Sequence, residues 1–295
     1  MRLSEMPADW PFRALSHEIA CPPHRWHVQI GGSGPEVLLI HGAGGATQSW
    51  RSLLPFLMDR LTVIVPDLPG QGFSTLGQRS RAGLDPMAED IARLLAQEGW
   101  RPRAIIGHSA GAAIALRLAE ILPDRPAAVI GINAALGNFE GVAGWLFPLM
   151  AKLLALNPFV PRLFARASGH PSRVRSLLAS PGSRIDYEGV RLFSRLISDP
   201  AHVDGTLSMM AQWSLDGLLA RLPALDLPVL FVTGANDRAV PPQTSDRAAA
   251  RMPAAEVVSI PGTGHLVHEE AAERVAAVIL PFLPRTAPVE VHSKS

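Results

Sequence analysis

The sequence predicts an α/β protein with a mostly parallel central sheet and helices on both faces of that sheet. Short apolar runs alternate with longer amphipathic stretches along most of the chain, as in successive strand–helix–strand units. The chain has 295 residues, of which 47% are hydrophobic and 18% are charged, so it can bury a substantial core. Nothing in this composition indicates disorder.

The strand candidates are short apolar runs bounded by turn residues. The first alternates between apolar and polar residues, and most of the others are continuously apolar, as expected of strands buried on both faces. In chain order the runs are His24–Ile30, Glu36–Gly42, Leu61–Asp67, Arg103–Ser109, Ala127–Asn133, Pro228–Gly234 and Glu256–Gly262.

Helix candidates lie between these strands, and the alternation breaks once. From Leu136 to Leu219 no buried-strand pattern occurs, and short helical patterns are punctuated by proline. We therefore predict a core formed by 1–135 and 220–295, with a helical cap at 136–219. The helix candidates of the core are Thr47–Met58, Pro86–Glu98, Ser109–Leu122, Pro242–Arg251 and Val267–Phe282.

Charge and composition narrow the possible partners and compartment. The net charge of +1 gives no reason to expect nucleic acid, and no run reaches the ~18 consecutive apolar residues of a membrane span. The single cysteine, Cys21, cannot form an internal disulfide, and the first residues lack the apolar centre of a signal peptide. We expect a cytoplasmic location, with peripheral association at a membrane as the alternative.

A candidate nucleophile stands between a predicted strand and a predicted helix. The pentapeptide "GHSAG" places Ser109 in a G-x-S-x-G motif, and the strand–turn–helix context is that of a nucleophile elbow. The tight turn is expected to strain the serine backbone and to expose its hydroxyl at the end of a helix. The alternative interpretation is an ordinary serine N-cap.

A serine nucleophile needs a base, and the base needs an acid to orient it. "SIPGTGHLVHEE" supplies His265 after the last predicted strand, and "FVTGANDRAVPP" supplies Asp237 after the preceding one. Parallel strands end at the same edge of a sheet, and the order Ser, Asp, His is that of serine hydrolases of this fold class. The conjunction favours a catalytic triad over a simple helix cap.

Other polar residues fit catalytic roles less well. Asn133 ends a predicted strand but carries no negative charge, and Asp216 and Asp226 precede a strand rather than follow one. The histidines assigned to structural hydrogen bonding or to a helix face are His41, His108 and His268.

Two backbone N–H groups are expected to form an oxyanion hole. Ala110 follows the nucleophile directly, and Ala43 lies in the glycine-rich "HGAGGATQSW" loop after an early strand. The spacing of these glycines does not match a phosphate-binding loop. The turn-rich "DLPGQGFS", 67–74, is assigned to scaffolding rather than to substrate contact.

The predicted cap is rich in large, adaptable apolar side chains. Such a lid suits a bulky hydrophobic ligand, although the same side chains could simply pack the cap against the core. The candidate pocket residues are Trp145, Phe147, Met150, Met209, Met210 and Trp213.

The motifs together resemble the α/β-hydrolase superfamily over nearly the whole chain. "HGAGG", "DLPGQGFS", "GHSAGA", "TGANDRAVP" and "GTGHLVHEE" carry this resemblance, which implies a mostly parallel sheet with a helical cap inserted after the sixth strand. More narrowly, "DWPFR", "RWHVQ", "NAALGNFEG", "LNPFVPRLFA" and "SMMAQW" resemble the magnesium-chelatase accessory proteins of bacteriochlorophyll biosynthesis (BchO type). That resemblance implies a role near magnesium insertion into protoporphyrin IX, with a tetrapyrrole and magnesium-chelatase subunits as candidate partners.

Two functions remain open from the sequence. The first is a serine hydrolase acting on an ester-like acyl group, which needs no metal or cofactor. The second is a non-catalytic module that uses the same fold to bind a porphyrin or to contact the chelatase.

Overall fold

The computed structural model describes residues 1–137, 159–180 and 182–283. Within these ranges eight strands form one sheet in the order β1-β2-β4-β3-β5-β6-β7-β8. Strands β1 and β2 pair antiparallel to their neighbours, and all other pairs are parallel. The strands are β1 (Ser16–Cys21), β2 (His24–Gly32), β3 (Glu36–Ile40), β4 (Thr62–Pro66), β5 (Ala104–His108), β6 (Ala128–Ile132), β7 (Val229–Gly234) and β8 (Ala255–Ile260). The predicted fold class is therefore confirmed.

The seven predicted strands correspond to β2 to β8, and β1 was not predicted. It lies at the edge of the sheet, and its residues are mostly exposed or half-buried. An edge strand without a continuous apolar run gives no buried-strand pattern.

The helices of the described core lie close to the predicted ranges. They are α1 (Leu54–Met58), α2 (Leu84–Glu98), α3 (Ala110–Ile121), α9 (Gln243–Ala249), α10 (Val267–Glu270) and α11 (Ala272–Phe282). Two predicted helices are interrupted. Thr47–Met58 begins as a 3-10 turn, Thr47–Trp50, and Val267–Phe282 is broken at Ala271, whose φ of −144° is not helical.

Between β6 and β7 the described residues form only helices, here called the insertion. Its helices are α4 (Val160–Ser168), α5 (Pro171–Ala179), α6 (Tyr187–Ile197), α7 (Pro200–Gln212) and α8 (Asp216–Arg221). The division into core and cap at Leu136 and Leu219 stays a prediction. Among the described helices none is long and apolar enough to cross a membrane.

Burial on both faces explains why the inner parallel strands, β3 to β7, are mostly apolar. Along β3, Val37 and Leu39 pack into a cluster with α1 and α11, whereas Leu38 and Ile40 pack into a cluster with α2 and α3. Successive strand residues point to opposite faces, so both must be apolar when helices cover both. This three-layer arrangement puts the carboxyl ends of β3, β5, β6, β7 and β8 at one edge.

Candidate active site

Ser109 occupies a strained turn between β5 and α3. Its φ of 53° and ψ of −117° are unusual for a residue with a side chain. The Ser109 N–H donates to Ile132 O over 2.9 Å, and the Ser109 carbonyl accepts from the N–H groups of Ala112 and Ala135, each over 3.1 Å. Such a conformation persists because neighbouring segments fix it, and it is typical of functional positions.

The two glycines of the G-x-S-x-G motif make room for backbone rather than for the serine hydroxyl. A Cβ on Gly107 would lie 2.3 Å from the carbonyl oxygen of Gly111, and a Cβ on Gly111 would lie 2.2 Å from that of Ile40. Neither glycine has a positive φ. The close approach of α3 to β5 and β3 therefore accounts for both residues.

Asp237 and His265 meet at the sheet edge as the sequence predicts. His265 Nδ1 donates to Asp237 Oδ2 over 2.7 Å, and the Asp237 side chain is fully buried. Asp237 Oδ1 accepts from the N–H groups of Ala239 (2.8 Å) and Val240 (2.9 Å), which fixes the carboxylate. A carboxylate only accepts, so the proton of neutral His265 lies on Nδ1 and Nε2 is free to accept a proton.

The structure brings His265 beside the serine turn without joining it to Ser109. The ring centroids of His108 and His265 are 4.8 Å apart, and His108 Nε2 donates to the His265 carbonyl over 2.9 Å. Within the described ranges no hydrogen bond links Ser109 Oγ to His265. Hydrogen bonds of a catalytic group often form fully only when substrate is bound.

Asn133 holds in place the loop between β8 and α10 that carries His265 (261–266, here called the histidine loop), a role that the sequence did not reveal. This buried residue follows β6 with a φ of 43°. Its Nδ2 donates to the carbonyl oxygens of Gly264 (3.0 Å) and His265 (2.7 Å), and its Oδ1 accepts from Gly234 N–H over 2.7 Å. The only available sequence signal was an asparagine at a strand end, where it tolerates left-handed backbone angles.

The predicted oxyanion donor Ala43 lies in a loop packed against the nucleophile. A Cβ on Gly42 would be 3.0 Å from Ser109 Cβ. The Gly42 carbonyl accepts from Gly45 N–H (3.0 Å) and His41 Nδ1 (2.8 Å). In a trans peptide the next N–H points opposite to that carbonyl, so the Ala43 N–H is oriented by these bonds.

Ala110, the other predicted donor, begins α3 directly after the nucleophile. Across the described ranges neither its N–H nor that of Ala43 has a hydrogen-bond acceptor. Unpaired N–H groups at a helix start and in an adjacent loop are suited to binding a developing negative charge.

The predicted pocket residues are only partly within the described chain. Trp145, Phe147 and Met150 lie outside it. The structure buries Met209 in the cluster between the sheet and α2 and α3, packs half-buried Trp213 against the same cluster, and leaves Met210 half-buried. Their role as a substrate pocket stays a prediction.

A second Ser–His–Asp linkage exists, and its surroundings make it a structural one. Ser16 Oγ lies 2.9 Å from His27 Nε2, and His27 Nδ1 donates to Asp67 Oδ2 over 2.6 Å. Ser16, however, has ordinary extended backbone angles on an edge strand and no helix start beside it. Asp67 also accepts from the N–H groups of Thr47 and Phe73, so this linkage ties β1 and β2 to the loop after β4.

Helix α10, which follows the histidine loop, carries two buried groups whose pKa values are shifted. Burial lowers the pKa of His268 to about 3 and raises the pKa of Glu269 to about 8. Arg51 Nη2 is 3.3 Å from Glu269 Oε2, but the guanidinium also makes two hydrogen bonds to Asp186 of the insertion. Desolvation therefore outweighs the attraction of Arg51, and Glu269 is protonated near neutral pH.

We expect Glu269→Gln to change the pH dependence of stability. The native pKa lies above the ordinary value of 4.5, so Glu269 favours folding below that value and this contribution is lost as the pH rises towards 8. Glutamine does not titrate, so the variant does not lose this contribution as the pH rises. The difference in urea midpoint, variant minus parent, should therefore increase from pH 5 to pH 8. The exposed Glu273→Gln is the control. A variant that loses stability most at pH 8 would show that the ion pair with Arg51 dominates.

Comparisons with known proteins agree with this fold. Residues 35–272 match the family model described as alpha/beta hydrolase fold. The chain is 46% identical over 280 residues to the "Magnesium-chelatase 30 kDa subunit" of Rhodobacter capsulatus. The alignment covers 94% of this chain and 98% of that protein.

Similarity extends to esterases. The chain is 30% identical over 262 residues to the pimeloyl-(acyl-carrier protein) methyl ester esterase of Methylococcus capsulatus, with 87% of this chain and 97% of that protein covered. A solved structure of a thermophilic esterase from Thermogutta terrifontis superposes with a TM-score of 0.74 at 26% identity, covering 92% of this chain and 99% of that one. The chain therefore belongs to the α/β-hydrolase fold family and, within it, to the family of the magnesium-chelatase 30 kDa subunit.

Proposed function

We propose that this protein is a serine hydrolase in which Ser109 is the nucleophile, His265 the general base and Asp237 the residue that orients the base. The observation that carries this proposal is the Asp237–His265 hydrogen bond of 2.7 Å beside a serine held at φ 53° between a strand and a helix. A buried acid, a histidine with Nε2 free and a strained serine are the groups that nucleophilic acyl transfer requires.

The reaction would proceed in two halves. As Ser109 Oγ bonds to the acyl carbonyl carbon, its proton passes to His265 Nε2, and the N–H groups of Ala43 and Ala110 stabilise the oxyanion. Collapse of this intermediate expels the alcohol, which takes the proton from His265. Water then gives a proton to His265 and attacks the acyl carbon. The bond from that carbon to Ser109 Oγ breaks, Ser109 Oγ takes the proton back from His265, and the acid is released.

The likeness to a magnesium-chelatase subunit supports a tetrapyrrole ligand and a role beside magnesium chelatase. We propose that the protein is an accessory to magnesium chelatase in bacteriochlorophyll biosynthesis, in contact with chelatase subunits. The proposed ligand is a bulky hydrophobic molecule of the tetrapyrrole class, bound by the insertion over the serine turn. We also propose a cytoplasmic location, with peripheral association at the membrane as the alternative.

A second candidate function is a non-catalytic module that binds a porphyrin or a chelatase subunit. Two observations favour it: within the described residues no hydrogen bond joins Ser109 to His265, and a relative at 46% identity carries the name of a chelatase subunit. In this case the triad residues would contribute only to the fold.

A fluorophosphonate probe distinguishes the two functions. We expect the probe to label the parent protein and Ser16→Ala but not Ser109→Ala, because phosphonylation requires an activated serine. Ser16→Ala is the matched control, since that serine also contacts a histidine–aspartate pair. Absence of labelling in the folded parent would contradict the hydrolase and leave the binding module, which absorbance titration with protoporphyrin IX would then test.

A further inference from the structure

The backbone of Gly44, next to the oxyanion donor Ala43, is held by two side chains from outside its own loop. The Gly44 N–H donates to Gln71 Oε1 over 2.7 Å, and the Gly44 carbonyl accepts from His202 Nε2 over 3.2 Å. Gln71 belongs to the loop after β4, whereas His202 lies on α7 of the insertion. The backbone N–H and carbonyl of Gly44 are thus both fixed by buried side chains.

His202 connects two loops of the core through its two ring nitrogens. Its Nδ1 accepts from Gly72 N–H over 3.0 Å, so the ring proton of the neutral imidazole lies on Nε2 and can be donated to Gly44 O. Burial, together with the nearby His41, lowers the pKa of His202 to about 4. The imidazole therefore stays neutral, and this pair of hydrogen bonds persists, around neutral pH.

Helix α7 lies directly on the backbone of the 67–74 loop. A Cβ on Gly205 would be only 2.1 Å from the carbonyl oxygen of Gly70. Further along α7, the sulfur of Met209 accepts from Gln71 Nε2 over 3.2 Å. The helix therefore contacts both loops through packed, hydrogen-bonded groups, and a displacement of α7 would move them.

From these contacts we infer that α7 of the insertion positions the oxyanion hole, with His202 as the positioning residue. Before Ala43, the Gly42 carbonyl is fixed by hydrogen bonds from His41 and Gly45. After Ala43, the backbone N–H and carbonyl of Gly44 are fixed by Gln71 and His202. The direction of the Ala43 N–H thus depends on a helix that lies outside the catalytic core. This inference rests on the proposed hydrolase function.

A misdirected oxyanion donor weakens transition-state binding more than ground-state binding. Loss of a whole donor costs about 10²–10³ in kcat, and a displacement of about 1 Å costs up to about 10². We therefore expect His202→Leu, which fills the site without donating, to lower kcat for a p-nitrophenyl ester by about 10–100-fold while KM changes little.

The conservative variant His202→Gln separates positioning from packing. Its side-chain amide can donate to Gly44 O from near the place of Nε2, although it gives up the bond from Gly72. We expect it to recover most of the lost kcat, whereas a purely structural role would leave both variants equally impaired. Gln71→Met changes the loop after β4 rather than α7, and it removes the acceptor for the Gly44 N–H. This variant should also lower kcat, so it tests the inference if His202→Leu fails to fold.

The possible results are distinct. If the parent does not hydrolyse esters, the proposed hydrolase fails, and the inference fails with it. If the parent is active but the folded His202→Leu and Gln71→Met variants keep its kcat, or if His202→Gln recovers no kcat relative to His202→Leu, the positioning role alone is overturned. Thermal unfolding of each variant identifies loss of folded protein.

Discussion

Asp237→Asn is expected to lower kcat for ester hydrolysis by about 10³–10⁴-fold. Asp237 Oδ1 accepts two backbone N–H groups, from Ala239 and Val240, so the amide oxygen of an asparagine would take that place. Its NH₂ group would then face His265 Nδ1, which must become an acceptor. The imidazole proton would move to Nε2, the atom that has to accept the proton of Ser109, so the base would be lost with little change in shape.

Steady-state kinetics on a p-nitrophenyl ester would test this effect, with Asp226→Asn as the control. Asp226 is exposed and precedes β7, so its substitution should leave kcat unchanged. Equal activity of Asp237→Asn and the parent would show that His265 is not oriented by this carboxylate during the reaction.

The sequence predicted most of the fold because its strands are covered on both faces. Mostly apolar runs marked the inner strands β3 to β7, and the shorter "EVVSIPG" run marked β8 although that edge strand is largely half-buried or exposed. The other edge strand, β1, lacked such a run. The helix break at Ala271 was not predicted. It directly follows Glu270, whose carboxylate accepts from the N–H groups of Gly264 and Arg184. Such contacts between distant segments leave no local periodicity.

Chain order predicted that Asp237 meets His265 and that both lie at the same sheet edge as Ser109, but not what holds them there. Ser109, Asp237 and His265 each follow a strand, and the parallel sheet brings strand ends together. Gln71, Asn133 and His202 act through hydrogen bonds to backbone groups far away in sequence, and a single polar residue carries no signal of such a partner. Within the "DLPGQGFS" segment, Gln71 and Asp67 accept from the backbone N–H groups of Gly44 and Thr47 in the loop after β3.

Asn133→Asp is expected to destabilise the protein by about 3–5 kcal/mol at pH 7, although it exchanges one NH₂ group for an oxygen. Asn133 Nδ2 donates to the carbonyls of Gly264 and His265, so a carboxylate would place a buried negative charge against two carbonyl oxygens. Repulsion and desolvation would both raise the pKa of the introduced carboxyl. A carboxylate at the end of β6 would therefore face the carbonyl oxygens of Gly264 and His265 without a proton to donate.

Urea unfolding at pH 5 and pH 7 would measure this effect, with the exposed Asn236→Asp as the isosteric control. Because the introduced carboxyl would have a raised native pKa, the deficit should be largest at pH 7 and should shrink as the pH falls towards its unfolded pKa, about 3.9. A loss comparable to that of Asn236→Asp at both pH values would contradict the donor role of Asn133. The predicted deficit is a large share of the free energy of unfolding, which is about 5–15 kcal/mol for typical folded domains. The effect is large because the Asn133 amide joins the ends of β6 and β7 to the carbonyl of His265, the proposed base.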